Sequence, residues 1–232
     1  EEQVKEEQVK DKKTQIQESF KKNKLLCLAG LITVFILYLN KKGSSYIIIF
    51  LSLYFIGFIG YVIHIIFHSI SFTDLFNKHN IFKEYNFFNK CMLKVTDFFD
   101  FHRNIHHDTS INKQPHNILY EFINNFVFEG LVPYLVIETV KLIDVRVCFV
   151  WGIAYASVHN INYYYLKPKT HMQHHIDCHK NYGIDIFDIF FGTKYDTNEI
   201  EGMNHMGFNL IISAFIIVYL NKYLDKLSNK FK

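Results

Sequence analysis

The chain has 232 residues, 50% of them hydrophobic and 20% charged, and a formal net charge of +3. That charge is too small, and the lysines too scattered, for a nucleic-acid surface. Four widely spaced cysteines with no CxxC suggest neither a disulfide framework nor a zinc–thiolate site, which leaves thirteen histidines to be explained.

Residues 1–24 contain the pentad EEQVK twice and stay polar throughout. They read as a charged tail, either a solvated helix or disordered, outside the active unit. So long and acidic a lead is not the n-region of an ordinary cleaved signal peptide. Residues 25–232 read as one membrane-embedded unit. Leu25–Leu39 is a short span whose flanking Lys24 and Lys41 can snorkel. Tyr46–Phe67 carries no charge and is a clear span. Ile118–Val140 is interrupted by Glu121, Glu129 and Glu138, and Val147–Leu166 is a better span. Leu210–Leu220 is too short to cross and is expected in the interface or against the bundle. The expected fold is all-α: a bundle of about four transmembrane helices with a histidine-rich cap. The loop charges Lys41, Lys42, Lys141 and Arg146 do not fix its orientation.

The first and second runs pair as one helical hairpin and the third and fourth as another, and the two hairpins deliver the histidines to one membrane face. His64 and His68 lie four apart and share a helix face. His102 and His106 repeat that spacing, with His107 adjacent, and His159 ends the fourth run. His171, His174 and His175 form one stripe at i, i+3 and i+4. A single pair is more often structural, but ionisable groups gathered beside a membrane are functional by default. Neutral imidazole binds Zn, Cu, Fe and Ni. Nine imidazoles exceed the needs of one zinc, and shared between two metals they leave a position open for a small molecule. Asp108, Asp177, Asp185 and Asp188 lie close by as acceptors for the second ring N–H. His79, His179 and His205 read as surface residues. His116 reads as a polar residue at the membrane interface.

The run His171–Met172–Gln173–His174–His175, then Asn181–Tyr182–Gly183, Asp188 and Phe191–Gly192–Thr193, resembles the C-terminal signature of the fatty acid hydroxylase/sterol desaturase superfamily. His64 and His68 match its first box, and His102, His106 and His107 its second. The resemblance covers roughly residues 46–195. It implies an integral-membrane oxygenase with two irons, O₂ as co-substrate and a fatty acyl, sphingolipid or sterol substrate to be hydroxylated or desaturated. It also implies electrons from a cytochrome b5 and its reductase, and an endoplasmic reticulum location with the boxes on the cytosolic face. The implied ligands are His64, His68, His102, His106, His107, His159, His171, His174 and His175. Asp108, Asp177, Asn181, Asp185 and Asp188 shape the shell and cap, and the NYG and FGT elements are expected as turns. Tyr163 and Phe187 depart from residues common in relatives, and His116 or His79 is a possible replacement ligand. The aromatic residues of INYYYL are expected as an interfacial belt. The alternatives are a plasmanyl-lipid-type desaturase, a metal- or haem-handling membrane protein without enzyme activity, and an inactive relative.

Overall fold

A cap starts the first helix. The Asp11 carboxylate accepts the Thr14 N–H at 3.0 Å and so satisfies one of the free donors at the N-terminus of α1 (Lys12–Lys22). At Asn23 the chain bends by 66° into α2 (Lys24–Leu39). Asn23 holds that corner on the loop before the last helix: its amide donates to the Glu201 carbonyl at 2.9 Å and its oxygen accepts the Met203 N–H at 2.6 Å. Residues 10–24, read from composition as a solvated or disordered tail, are therefore docked, with Gln15 and Ser19 buried. Charge density concealed the few polar side chains that satisfy a neighbouring loop's backbone.

The computed structural model describes residues 10–40, 44–79, 82–108, 114–138 and 143–230, and no strand occurs among them. The first pentad of the tail, Lys41, Lys42, Val140 and Lys141 lie outside the described residues. Ser45 caps α3 (Tyr46–Ser69) through the Ile48 N–H. At 24 residues it is about 36 Å long, enough to cross a hydrocarbon core of about 30 Å. Two short helices follow, α4 (Phe72–Lys78) and α5 (Asn86–Phe101). Asp100 ties them together by accepting the Phe72 and Thr73 N–H groups, both at 2.9 Å.

Residues 115–137 are helical throughout: α6 (Pro115–Phe126), a π-helical turn over Val127–Leu131, and α7 (Val132–Ile137). Residues 146–166 repeat the pattern with α8 (Arg146–Ser157), a π-helical turn over Val158–Asn162 and α9 (Tyr163–Leu166). Two shorter helices follow, α10 (Lys169–Ile176) and α11 (Asp185–Phe191). The last helix, α12 (Met206–Lys230), corrects the expectation for Leu210–Leu220. The apolar run is the middle of a 25-residue helix whose polar flanks, Asn209 and Asn221 among them, hid its length.

Two helices, α3 and α12, are long and apolar enough to cross a membrane, or three spans if the bent pair α1–α2 counts as one. Their outward faces carry large apolar side chains, Ile47, Leu51 and Phe55 on α3 and Phe208, Phe215 and Tyr219 on α12. Such stripes are at ease against lipid. The inner core is built by α2 (Val34, Leu37), α3 (Ile49, Ile56), α8 (Val147, Val150, Trp151) and α12 (Leu210, Ala214). At the end away from the histidines, Arg146 grips Asp144 and donates to the Leu37 carbonyl at 2.9 Å, which closes α2.

The α8 run and the π turn of residues 127–131 approach through glycine. A Cβ at Gly152 would lie 2.7 Å from the Gly130 Cα, which is backbone and cannot swing aside. Gly152→Ala should therefore lower stability by about 1–3 kcal/mol, read as a fall in the thermal midpoint of the detergent-purified protein. An unchanged midpoint would mean that these helices do not meet here.

Candidate metal centre

Helix ends and π turns converge on one pocket. The last two turns of α3 present His64 and His68, with ring centroids 5.0 Å apart. A π-helical turn over His102–His106 continues α5. Its i→i+5 hydrogen bonding stacks residues five apart much as an α-helix stacks residues four apart. In α geometry His107 would rotate away from His102; here the two rings stay 5.3 Å apart and both face the centre. The π turn after α8 supplies His159 and α10 supplies His171, His174 and His175. All nine expected imidazoles meet. His64, His68, His102, His106, His159 and His174 are buried, and His107, His171 and His175 are partly buried.

Their nitrogens form overlapping groups able to hold a metal ion: His64, His68, His102 and His174; His102, His106 and His107; His106, His171 and His175; and His106, Glu121 and His159. Three Nε2–Nε2 distances are alike, His64–His102 at 3.0 Å, His68–His174 at 3.1 Å and His171–His175 at 3.1 Å. Two metal–imidazole bonds of about 2.1 Å at right angles put the nitrogens about 3.0 Å apart. A lone N–H···N bond accounts for one such pair. Three pairs in one pocket, together with a buried His107 Nε2 that has no hydrogen-bond partner, fit a donor set built around cations.

Outer partners fix which nitrogen points inward. His174 Nδ1 donates to the Lys180 carbonyl at 2.6 Å. His106 Nδ1 lies 2.9 Å, and His159 Nδ1 3.8 Å, from Glu121 Oε1. His64 Nδ1 lies 3.4 Å from the Tyr155 hydroxyl. The contacts of His174, His106 and His64 engage Nδ1 and leave Nε2 for a metal, whereas His159 Nδ1 stands beyond hydrogen-bond reach of Glu121. Burial, then the neighbouring imidazoles, holds His102, His107 and His171 far below the usual histidine range. Burial likewise pushes His174 down to about 4 and His175 to about 3. These rings are neutral at pH 7 and their lone pairs are available.

The remaining expected residues have other duties. Asp188 accepts the Tyr182 and Gly183 N–H groups and the Thr193 hydroxyl, so it braces the turn rather than a ring. Asp185 pairs with Lys194, and Asp177 accepts the His179 N–H. Asp108 follows His107, its N–H on the Ile105 carbonyl. Asn181 takes a φ of +55° and ties Thr170 to Tyr195. Gly192 at φ +76° matches its expected turn role, whereas Gly183 has no positive φ and instead packs on Tyr61. His79 and His116 are exposed and join none of the clusters, so the structure does not place them as ligands. His179 is exposed as expected, while His205 is partly buried and bonded to Asn162. Tyr164 and Tyr165 face outward as a belt would, but Tyr163 turns inward, 4.1 Å from the His171 ring.

Glu121 is the site residue that spacing missed. Among apolar neighbours it looked like a flaw in a span; the polar residues Asn117, Asn124 and Asn125 at helical spacing around it were the available signal.

An apolar groove of about 130 Å³ runs beside the centre between α2 and α3, walled by Leu26, Gly30, Leu53, Trp151, Ile184 and Met203. Trp151, Ile184, Met203 and Met206 also wall a smaller polar cavity that reaches His64, His159 and His171. No family model, curated protein or solved structure matches the chain.

Replacing Glu121 by Gln should weaken metal binding roughly 10–100-fold while leaving the helix content unchanged. Metal titration of the purified protein, with circular dichroism as the control, measures both.

Proposed function

We propose that the chain is a membrane di-iron oxygenase that hydroxylates or desaturates a lipid, as the resemblance of its histidine boxes to the fatty acid hydroxylase/sterol desaturase superfamily implies. The observation that carries this reading is the meeting of nine imidazoles and one carboxylate in a single pocket beside an apolar groove. Imidazole and carboxylate together suit redox metals such as iron, and the pairwise spacing suits more than one ion. In this reading α2, α3, α12 and the helical runs 115–137 and 146–166 lie in the bilayer, with α12 packed along α2 and α8. The cap of α4, α5, α10 and α11 faces the cytosol at the endoplasmic reticulum.

An iron pair, when bound, supplies the O₂-activating chemistry that oxidises an unactivated C–H bond. The chain's own residues do the rest. His64, His68, His102 and His174 would hold one iron, and His106, His159, His171 and His175 the other, with His107 close to both groups. Glu121 orients His106. The groove walls, Trp151 and Met203 among them, take an acyl or sterol skeleton from the bilayer, exclude water and set one methylene against the centre. Electrons come from an external carrier of the cytochrome b5 and reductase type.

Protein purified in detergent from iron-replete cells should contain two irons per chain by elemental analysis, and His174→Ala should lose them. Cells expressing the wild type, but not His174→Ala, should accumulate a hydroxylated or newly unsaturated lipid. A folded wild type without iron, or an unchanged lipid profile from an iron-loaded one, would refute the reading.

A further inference from the structure

Three π-helical turns occur among the described residues, over His102–His106, Val127–Leu131 and Val158–Asn162. Two of them carry candidate metal ligands. The third carries Glu129 at its middle. A π turn has poorer geometry than the α-helix around it and recurs where a side chain must be aimed at a functional site.

The register shows where this one is aimed. Glu129 follows Glu121 by eight residues, which in an unbroken α-helix leaves it about 80° further round. The additional residue taken up by the π turn swings it back toward the face of Glu121. Glu129 is 3% exposed, and its Oε2 accepts the Trp151 indole N–H at 2.9 Å. Among the described residues no lysine or arginine forms a salt bridge with it. Space for the carboxylate is provided by Gly60, one turn before His64, where any Cβ would collide with Oε2. A carboxylate so expensive to bury, without a cation, needs a reason.

The surroundings supply one. Glu129, Tyr155, His64, His102, Asn124 and Asn125 line a cavity of about 10 Å³, close to the room one water needs. His64 Nε2 faces His102, so a metal on Nε2 leaves Nδ1 as a donor, and the group within reach is the Tyr155 oxygen at 3.4 Å. The Tyr155 hydroxyl proton then needs an acceptor of its own. Glu129 is the carboxylate on that cavity.

We infer that Glu129 is a positioning residue that holds His64 in its metal-binding tautomer through Tyr155, the counterpart on this side of the centre of Glu121 beneath His106. The inference rests on the metal reading above. Two carboxylates from one helical run thereby orient one histidine in each half of the centre, Glu121 directly and Glu129 through a phenol.

The test is a cobalt(II) titration of the detergent-purified full chain, followed by its visible d–d absorption. The wild type should bind two ions. Glu129→Gln keeps an acceptor for Trp151 but replaces one carboxylate oxygen by an amide N–H₂. It should weaken one of the two ions roughly 10–100-fold and shift the absorption bands. Tyr155→Phe should do the same, and the double variant should be no weaker than either single one, because both act on one chain of hydrogen bonds. Wild-type affinity and spectrum in folded Glu129→Gln would overturn the inference, as would additive effects in the double variant. If Glu129→Gln fails to fold, Tyr155→Phe decides: undiminished cobalt affinity overturns it. A folded wild type that takes up no cobalt would overturn the metal reading itself, and this role with it.

Discussion

Imidazole nitrogens do not sit 3.0 Å apart inside a protein without something positive between them. One shared proton serves an isolated pair. A cluster in which His64 faces His102, His68 faces His174 and His171 faces His175 would need several protons held in a buried, low-dielectric space. Burial acts the other way and keeps His174 and His175 deprotonated well below neutral pH. The arrangement therefore favours lone pairs turned toward metal cations. Other features of the histidine-bearing end serve that packing: the Asp100 contacts that join α5 to the start of α4, the bonds by which Asp188 of α11 holds the Tyr182–Gly183 turn and Thr193, and the Asn23 latch that holds the α1–α2 corner on the loop before α12.

Regular helices alone would not deliver this density of ligands. Two imidazoles four residues apart fit an α-helix, as His64 and His68 show, but three at i, i+4 and i+5 do not. The π-helical turn over His102–His106 resolves the conflict by giving His107 the face that an α-helix would deny it. Backbones also have to approach closely so that side chains from four helical runs can share one pocket, and the Gly130–Gly152 contact and the gap at Gly60 provide that closeness. Local irregularity and small residues thus appear where the ligand geometry demands them.

Much of this was legible in the residues. The three boxes and His159 announced themselves by spacing, since helical periodicity turns i, i+3 and i+4 into a shared face. The all-helical fold and the apolar character of α3 followed from hydropathy. Glu121 and Glu129 were not legible as site residues, because in one dimension a carboxylate in an apolar run reads as a defect; only the direction of the side chain shows that it points inward. The π turns have no reliable sequence signature, so the way in which His107 joins His102 could not be read from FHRNIHH. Likewise α1 looked like solvent-exposed charge until its partners, the backbone groups of residues 200–203, were in view. The length of α12 was hidden because its apolar middle is flanked by asparagine and lysine, which a helix tolerates and a hydropathy window penalises.

The distribution of buried carboxylates carries the last step. Asp100, Asp144 and Asp185 each lie within ion-pair distance of a basic partner, Arg103, Arg146 and Lys194. Glu121, Glu129, Asp188 and Glu201 are equally buried but have no lysine or arginine in ion-pair contact among the described residues. Burial pushes Asp188 up to about 6 and Glu201 to about 8, the mark of carboxyls for which the bare fold supplies too little positive charge. In the proposed centre, two divalent ions held by neutral imidazoles would bring four positive charges into the same low-dielectric region. Four carboxyls on elements around that region can offset them, with Glu121 against His106 and His159, Glu129 on the cavity behind His64, Glu201 on the cavity wall with His171, and Asp188 on the turn at Tyr182. Asp188 and Glu201, the carboxyls that burial pushes up in the bare chain, are ones that a bound metal pair would hold ionised.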